Sequence, residues 1–399
     1  MLIGIDASRA NRQQKTGTEW YAYHIIKNLI ELDRQNQYVL YSDQAFDQEF
    51  IELADRYQNV RLKVLAWPFK RFWTLGRLTL EMMFFPPQIL FVPSHVLPLF
   101  SRAKLVNTIH DVGFMAYSEL YQTAARKYLE WSTKEAIRGA DKLIVVSEFT
   151  KQELIKYFPI AQNKTVEVIY HGFDQSLYNQ EKKSNDQEIL SRHGLQKPYF
   201  LYIGRLESKK NIVGLLNGFR QYCQMDSGSQ VELVLVGKRG RDILAMNEMN
   251  DLLVDPVLQG RVKELGWTPE EDLPALLRGS LGFIMPSWYE GFGMPLIQAM
   301  ASGAPIIAAK AGSLPEIVME AGLYFEPTSS NELAEKMAEI VNNQDLRYNL
   351  VKAGLVRANN FSWQKAARET FRRSPHSLSF LIALTGYLML RLSRPFADW

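Results

Sequence analysis

Three short stretches of this chain are rich in apolar residues: Ile89–Val92 and Lys142–Val146 along nearly their whole length, and Lys104–Ile109 at Leu105, Val106 and Ile109. A strand with one wet face alternates apolar and polar residues, so runs of this kind are expected of parallel strands covered on both faces by helices. Parallel neighbours cannot be joined by a tight hairpin, and each strand must be followed by a crossover. The order of the sequence supplies one each time. Leu2–Asp6, Tyr38–Tyr41, Arg61–Leu65 and Val166–Tyr170 read as further strands, and Trp20, Tyr23, Ile26 and Ile30 give residues 19–32 helical spacing. After a polar segment at about 175–197, which reads as a linker with a short helix, a second series begins. Its strands are Tyr199–Ile203, Val231–Val236, Val262–Leu265, Gly282–Met285 and Pro305–Ala308, with helices at Ile212–Cys223, Leu273–Arg278, Pro295–Ala301 and Glu332–Asn342. Two such series predict an α/β protein of two doubly wound domains facing each other across a cleft. The expected divisions are 1–172, a linker at 173–197, 198–361, and a last segment at 362–399.

Composition narrows the function classes. At 399 residues the chain can bury two cores, and 47% hydrophobic with 22% charged residues is a globular balance. A net charge of +3 provides no field for nucleic acid, which is not expected as a partner. The single cysteine, Cys223, permits neither an internal disulfide nor a cysteine-based metal site, as suits a reducing cytoplasm. Met1 leads straight into the first strand, leaving no room for a signal peptide. The longest apolar stretch, Leu378–Leu390, is interrupted by Ser379, Thr385 and Gly386 and falls short of the roughly 18 residues of a membrane span. A cytoplasmic chain is therefore expected. No Gly-x-Gly-x-x-Gly fingerprint occurs, so no nicotinamide or flavin cofactor is expected.

In open α/β sheets, ligands bind beyond the carboxyl ends of the strands. Three strand ends of the second series carry chemistry. Tyr199–Ile203 runs into Gly204-Arg205-Leu-Glu-Ser-Lys209-Lys210-Asn211 and then a helix. Lysines at a helix N-terminus oppose the macrodipole unless an anion lies there, on which they, Arg205 and free backbone N–H groups converge. A solvated basic turn is the alternative, and this motif alone leaves both open. Val231–Val236 ends in Gly237-Lys238, a close backbone approach beside a further cation. Gly282–Met285 runs into Pro286-Ser-Trp-Tyr-Glu290-Gly291-Phe292-Gly293-Met294-Pro295. There Gly291 and Gly293 offer backbone N–H groups to a phosphate or sugar hydroxyl, Glu290 offers a carboxylate, and Pro295 and Gly303 bracket a helix. Gln298 is expected on the first turn of that helix, facing back towards the glycines.

These segments resemble the retaining glycosyltransferases of family 4, which have the GT-B fold of two facing Rossmann-like domains. The likeness is carried by Gly204-Arg205-Leu206…Lys210-Asn211, Val236-Gly237-Lys238, Pro286–Pro295 and Gly312-Ser-Leu-Pro-Glu316-Ile-Val318. In the first half it is carried by Thr16-Gly17, Ile109-His110-Asp111 and Val145-Val-Ser147-Glu-Phe149, and it extends to about residue 370. The chain is similar in particular to bacterial mannosyl- and rhamnosyltransferases of surface polysaccharide synthesis. The resemblance implies a nucleotide-diphosphate sugar as donor substrate, a glycan or lipid-linked acceptor, and no cofactor. It makes Arg205 and Lys210 the holders of the donor diphosphate, and it places Gly17, Phe292, Gly293 and Met294 against the phosphates and the donor sugar. Glu290 would bind sugar hydroxyls, and His110 would reach the sugar from across the cleft. His110, Arg205, Lys210 and Glu290 thus form the expected catalytic set, with Gly17, Gly237, Lys238, Phe292, Gly293, Met294 and Gln298 on the donor side. The physical reading agrees, because fixed cations beside a departing diphosphate stabilise its developing charge. The chain contains no Asp-x-Asp, so that charge is expected to come from Arg and Lys without a metal. A strand-capping structural role is the alternative for His110.

Two regions bear on the acceptor. Residues 67–85, with Trp67, Phe69, Lys70, Arg71, Phe72, Trp73, Arg77 and Met82-Met-Phe-Phe85, are aromatic and basic together. They suit either a peripheral contact with an anionic membrane or packing beneath the first domain. From about Arg372 the tail turns apolar on all sides and departs from the family. No residue stands out as a dedicated nucleophile, so front-face attack guided by the leaving phosphate is the expected route to retention. A non-catalytic nucleotide-sugar-binding subunit and an epimerase on the same fold are the competing readings. The family pairs Glu290 with a second Glu that accepts from the ribose hydroxyls, but here that position holds Gln298. A neutral acceptor in place of a charged one weakens nucleotide binding by about 1 kcal/mol. Gln298→Glu should therefore tighten donor binding several-fold, as titration calorimetry would read, and an unchanged affinity would remove the residue from the site.

Overall fold

The computed structural model describes residues 1–69, 72–226, 228, 230–240 and 242–371. Lys70, Arg71 and the apolar tail Leu378–Leu390 lie outside the described residues. The chain folds into two parallel sheets. The first contains β1 (Leu2–Asp6), β2 (Gln37–Ser42), β3 (Val60–Val64), β4 (Ile89–Val92), β5 (Lys104–Ile109), β6 (Lys142–Val145) and β7 (Val166–Val168), in the order β3-β2-β1-β4-β5-β6-β7. The second contains β8 (Tyr199–Ile203), β9 (Glu232–Val236), β10 (Val262–Gly266), β11 (Gly282–Met285), β12 (Ile306–Ala309) and β13 (Gly322–Phe325), in the order β10-β9-β8-β11-β12-β13. The order reverses between β1 and β4 and again between β8 and β11, which places one crevice at the carboxyl end of each sheet.

The expected strands form, with ends displaced by a residue or two. β13, a four-residue edge strand, and the helices Gln48–Arg56, Thr123–Gly139, Glu148–Tyr157, Ile243–Leu253 and Gln344–Ala358 were not marked by the sequence patterns. The last of these has a mixed circumference, burying only Leu350, Gly354 and Ala358, so no apolar stripe announces it.

Apolar layers form on both faces of the first sheet. One joins Ile3, Ile5 and Phe91 to helix Gly17–Leu32, and the other joins Leu90, Val92 and Leu143 to Leu78, Met82, Ala136 and Leu154. Each fully buried aliphatic side chain of this kind contributes about 1.5–3 kcal/mol. The second domain has one continuous core around Phe200, Leu201, Leu233, Phe283, Ile284, Ile306 and Ile307.

Helix Trp363–Thr370 follows the second domain in sequence yet packs on the first. Trp363, Ala366 and Ala367 belong to the layer beneath helix Gly17–Leu32, with the Trp363 ring stacked 5.2 Å from His24. The chain that leaves the first sheet at His171-Gly172-Phe173 passes directly beneath this returning strand of backbone. A Cβ on Gly172 would lie 2.1 Å from the Trp363 amide nitrogen, so only glycine fits the crossing. Of residues 67–85, Trp73, Leu78 and Met82 are buried, as the packing role expects, while Phe69, Phe72, Leu80, Phe84 and Phe85 are exposed. Arg77 is occupied by Glu81 at 3.2 Å, one turn along its own helical segment. Among the described residues no helix is long and apolar enough to cross a membrane.

Candidate active site

The loops leaving β8 and β11 stand side by side at the switch point of the second sheet and face the end of β5. After β8, residues Ser208–Lys210 form one 3-10 turn, and Asn211 ends it in the left-handed region (φ 54°) before the helix starts at Ile212. The two lysines take different partners. Lys210 Nζ donates to Glu290 Oε1 at 2.6 Å, and Lys209 Nζ donates to Asp111 Oδ2 at 3.1 Å, on the other domain. Arg205 remains outside, its side chain 62% exposed and held only by Glu207 at 3.8 Å. Each of the three cations thus has its own carboxylate.

Glu290 is buried, with Oε1 also accepting from Ser287 Oγ at 2.7 Å. Its carbonyl accepts from both the amide and the hydroxyl of Ser313 at 3.1 Å, which ties the β11 loop to the turn after β12. Gly293 has φ 88° and caps helix Met294–Ala301, as its place before Pro295 leads one to expect. Gln298 is the fifth residue of that helix and sits, half-buried, on its second turn, because the helix begins at Met294. That corrects the expectation of a first-turn position.

Two of the glycines make room for the protein's own backbone. A Cβ on Gly291 would meet the His110 carbonyl oxygen at 1.9 Å, and a Cβ on Gly237 would meet the Gly204 carbonyl oxygen at 1.9 Å. Gly291 lets the two domains touch, and Gly237 lets the ends of β8 and β9 touch. By contrast, Gly17 has room: the nearest atom to a Cβ there is Met294 Cε of the opposite domain at 3.7 Å. Lys238 also reaches across, donating to Gln14 Oε1 at 2.7 Å. Phe292 is buried against the His171 ring at 4.5 Å.

Several residues without an assigned role in the sequence complete the junction. Ser147 Oγ and Thr150 Oγ1 both donate to the Gly291 carbonyl, at 2.6 and 3.1 Å. Glu316 accepts from the Glu148 and Phe149 amides at 2.8 and 2.9 Å and from the Tyr170 hydroxyl at 2.8 Å. Its carboxylate thus caps helix Glu148–Tyr157 from the other domain, where a negative charge complements the helix dipole. Tyr117 donates its hydroxyl to the Trp288 carbonyl at 3.2 Å. Residues 145–149 and 312–318, which hold Ser147 and Glu316, are among the segments that resemble the family. Their mutual contact leaves no trace in local spacing.

His110 closes β5, buried, and its Nε2–H donates to the Pro93 carbonyl at 3.1 Å. Burial pushes its pKa down to about 4, with His95 adding to the shift. Burial likewise lowers His24 to about 4 and holds His171 well below the ordinary value of 6.5. All three rings are neutral at pH 7. His171 sits among Tyr21, His110, Phe292 and Trp363, and neither ring nitrogen has a hydrogen-bond partner among the described residues.

Two facing parallel-sheet domains with charged groups gathered at the switch point define a glycosyltransferase of the GT-B fold. Residues 184–357 match the model of the glycosyl transferases group 1, residues 15–177 match that of glycosyltransferase family 4, and the chain belongs to this family. It is 30% identical over 270 residues to O-antigen chain mannosyltransferase B of Escherichia coli, spanning 67% of this chain and 69% of that one. It is 24% identical to O-antigen chain mannosyltransferase RfbU of Salmonella typhimurium, over 67% and 68% of the two chains. In fold it is similar to sucrose-phosphate synthase from Thermosynechococcus elongatus, with a TM-score of 0.74 at 19% identity over 96% of this chain and 100% of that one. Anabaena HepE in complex with UDP and glucose has a TM-score of 0.72 at 20% identity, over 92% and 97% of the chains.

The buried neutral histidines set the acid response. The unfolded chain takes up their protons near pH 6.5 and the folded chain only near 4 or below, so stability is full above about 6.5 and falls as the pH drops through that window. His171→Phe keeps a ring in the aromatic box and removes one of these protonations. The loss of Tm between pH 7.5 and pH 5 should be smaller in this variant than in the wild type; an equal loss would mean that His171 does not titrate on unfolding.

Proposed function

We propose that the chain transfers a hexose, mannose favoured, from a nucleotide-diphosphate sugar to a glycan or lipid-linked acceptor, with retention and without a metal. The observation that carries this reading is the Lys210–Glu290 pair at the β8/β11 switch point. It stands next to the N-terminus of helix Met294–Ala301 and opposite His110. A helix N-terminus favours negative charge, and Lys210 and the solvent-facing Arg205 are placed to neutralise a departing diphosphate. Glu290, holding Lys210 through one oxygen, would exchange part of that contact for sugar hydroxyls. Gly17 and Met294, facing each other with little between them, would bound the donor from the two domains, and His110 would present its neutral ring to the sugar. The names of the two O-antigen relatives favour mannose, and the UDP held by the Anabaena protein supports a nucleotide donor.

A lipid-linked acceptor would bring the first domain to a membrane surface. Phe69, Phe72, Leu80, Phe84 and Phe85 are the exposed apolar side chains that would meet it.

The test is turnover with a panel of nucleotide sugars, GDP-mannose and UDP-glucose among them, with and without anionic phosphatidylglycerol vesicles. Donor consumption by the wild type and its loss by about 10²–10³-fold in Lys210→Ala or Arg205→Ala support the transferase. Binding without turnover would make the chain a non-catalytic sugar-nucleotide-binding subunit. Failure to sediment with the vesicles would remove the membrane contact.

A further inference from the structure

Lys209 and Asp111 are oppositely charged, come from different domains, and meet at 3.1 Å. Each is the chain neighbour of a residue in the candidate site: Asp111 follows His110 at the end of β5, and Lys209 precedes Lys210 in the turn after β8. Both are fastened to their own domain. Asp111 Oδ1 accepts from the Gly113 amide at 2.9 Å, and the Lys209 carbonyl accepts from the Trp288 amide at 3.1 Å. The Lys209 ammonium also lies 5.3 Å from the centre of the Tyr289 ring, the residue before Glu290. The His95 ring nitrogen, 2.9 Å from the Asp111 carbonyl, holds the same corner from behind.

The pair is charged on both sides. Burial works against each charge, but Lys209 and His95 hold the Asp111 carboxyl well below the usual carboxylate range, and Asp111 holds the Lys209 amine above the usual amine range. The two side chains are partly exposed, 15% for Lys209 and 29% for Asp111, so the pair is shielded from water in part, and removing one partner leaves the other charge uncompensated. Such a contact has two discrete arrangements, made or broken, and it registers whatever is attached to it.

We propose that Asp111 and Lys209 form a positioning pair whose closure brings His110 of the first domain into register with Lys210 and Glu290 of the second. Neither residue need touch the donor; they fix the distance between groups that would. The pair rests on the transferase reading only for its effect on rate, because domain closure is measurable without any substrate. The hydrogen bonds of Ser147, Thr150 and Glu316 join the domains elsewhere, and the pair adds an ion pair between oppositely charged side chains at the site itself.

The experiment compares the full chain with Asp111→Asn, Lys209→Met, Lys209→Arg and the Asp111→Asn/Lys209→Met double variant. Small-angle scattering without ligand should give a larger radius of gyration for Asp111→Asn and Lys209→Met at an unchanged far-ultraviolet circular dichroism spectrum, with Lys209→Arg compact. In turnover of GDP-mannose or UDP-glucose, each of the two charge-removing variants should lose about ten- to hundred-fold in kcat, the penalty of small misplacement, with the donor KM little changed. The double variant should lose no more than the worse single one, as coupled partners do. Compact variants, additive losses, or a raised donor KM at full kcat would overturn the proposal, the last by making Lys209 a donor ligand. If Asp111→Asn does not fold, Lys209→Met against Lys209→Arg decides alone. A wild-type chain that consumes no donor would end the transferase reading and leave the scattering comparison to decide the pair.

Discussion

Everything at the candidate site depends on how closely the second domain's β11 loop can approach the end of β5. Gly291 sets that distance, since its missing side chain leaves the space that the His110 carbonyl occupies. Once backbone meets backbone there, the Gly291 carbonyl needs donors, and Ser147 and Thr150 provide them. A buried carbonyl without partners would be costly. The same approach brings Lys209 to Asp111 and Glu316 to the exposed end of a helix. The cleft is therefore shaped by a few contacts, most of them between polar groups.

The arrangement divides labour between charge and shape. Carboxylates satisfy both lysines: Glu290 holds Lys210, and Asp111 holds Lys209. A bound diphosphate would compete with the first of these and leave the second intact. Around them the rings of Tyr21, His171, Phe292 and Trp363 pack the junction where the chain passes between domains and back. Neutral imidazoles in that packing carry no charge to disturb the cations beyond it.

The sheets were legible in the sequence because a doubly covered strand reads as an unbroken apolar run, and each run here, from Ile89–Val92 to Gly282–Met285, became a strand. Site residues could be located for a related reason: chemistry after a strand lies at a sheet's carboxyl edge, and Arg205, Lys210 and Glu290 all follow β8 or β11. What stayed hidden was pairing across domains. Nothing in the spacing of Lys209 and Asp111, or of Glu316 and Phe149, says that these side chains and backbones meet. Gly237 and Gly291 signalled close approach, and the spacing could not say that the protein's own backbone fills the place of a side chain at both. Gln298 falls on the second turn because the helix starts one residue earlier than its proline suggests, at Met294.

The central claim is that a sugar nucleotide binds between the domains, against the loops after β8 and β11. Hydrogen–deuterium exchange of the full chain with and without GDP-mannose or UDP-glucose tests it directly. The account predicts protection concentrated in 204–211 and 287–298, with a second, weaker zone around Gly17 and His110. Protection confined to other parts of the chain, or none at a saturating donor concentration, would contradict it.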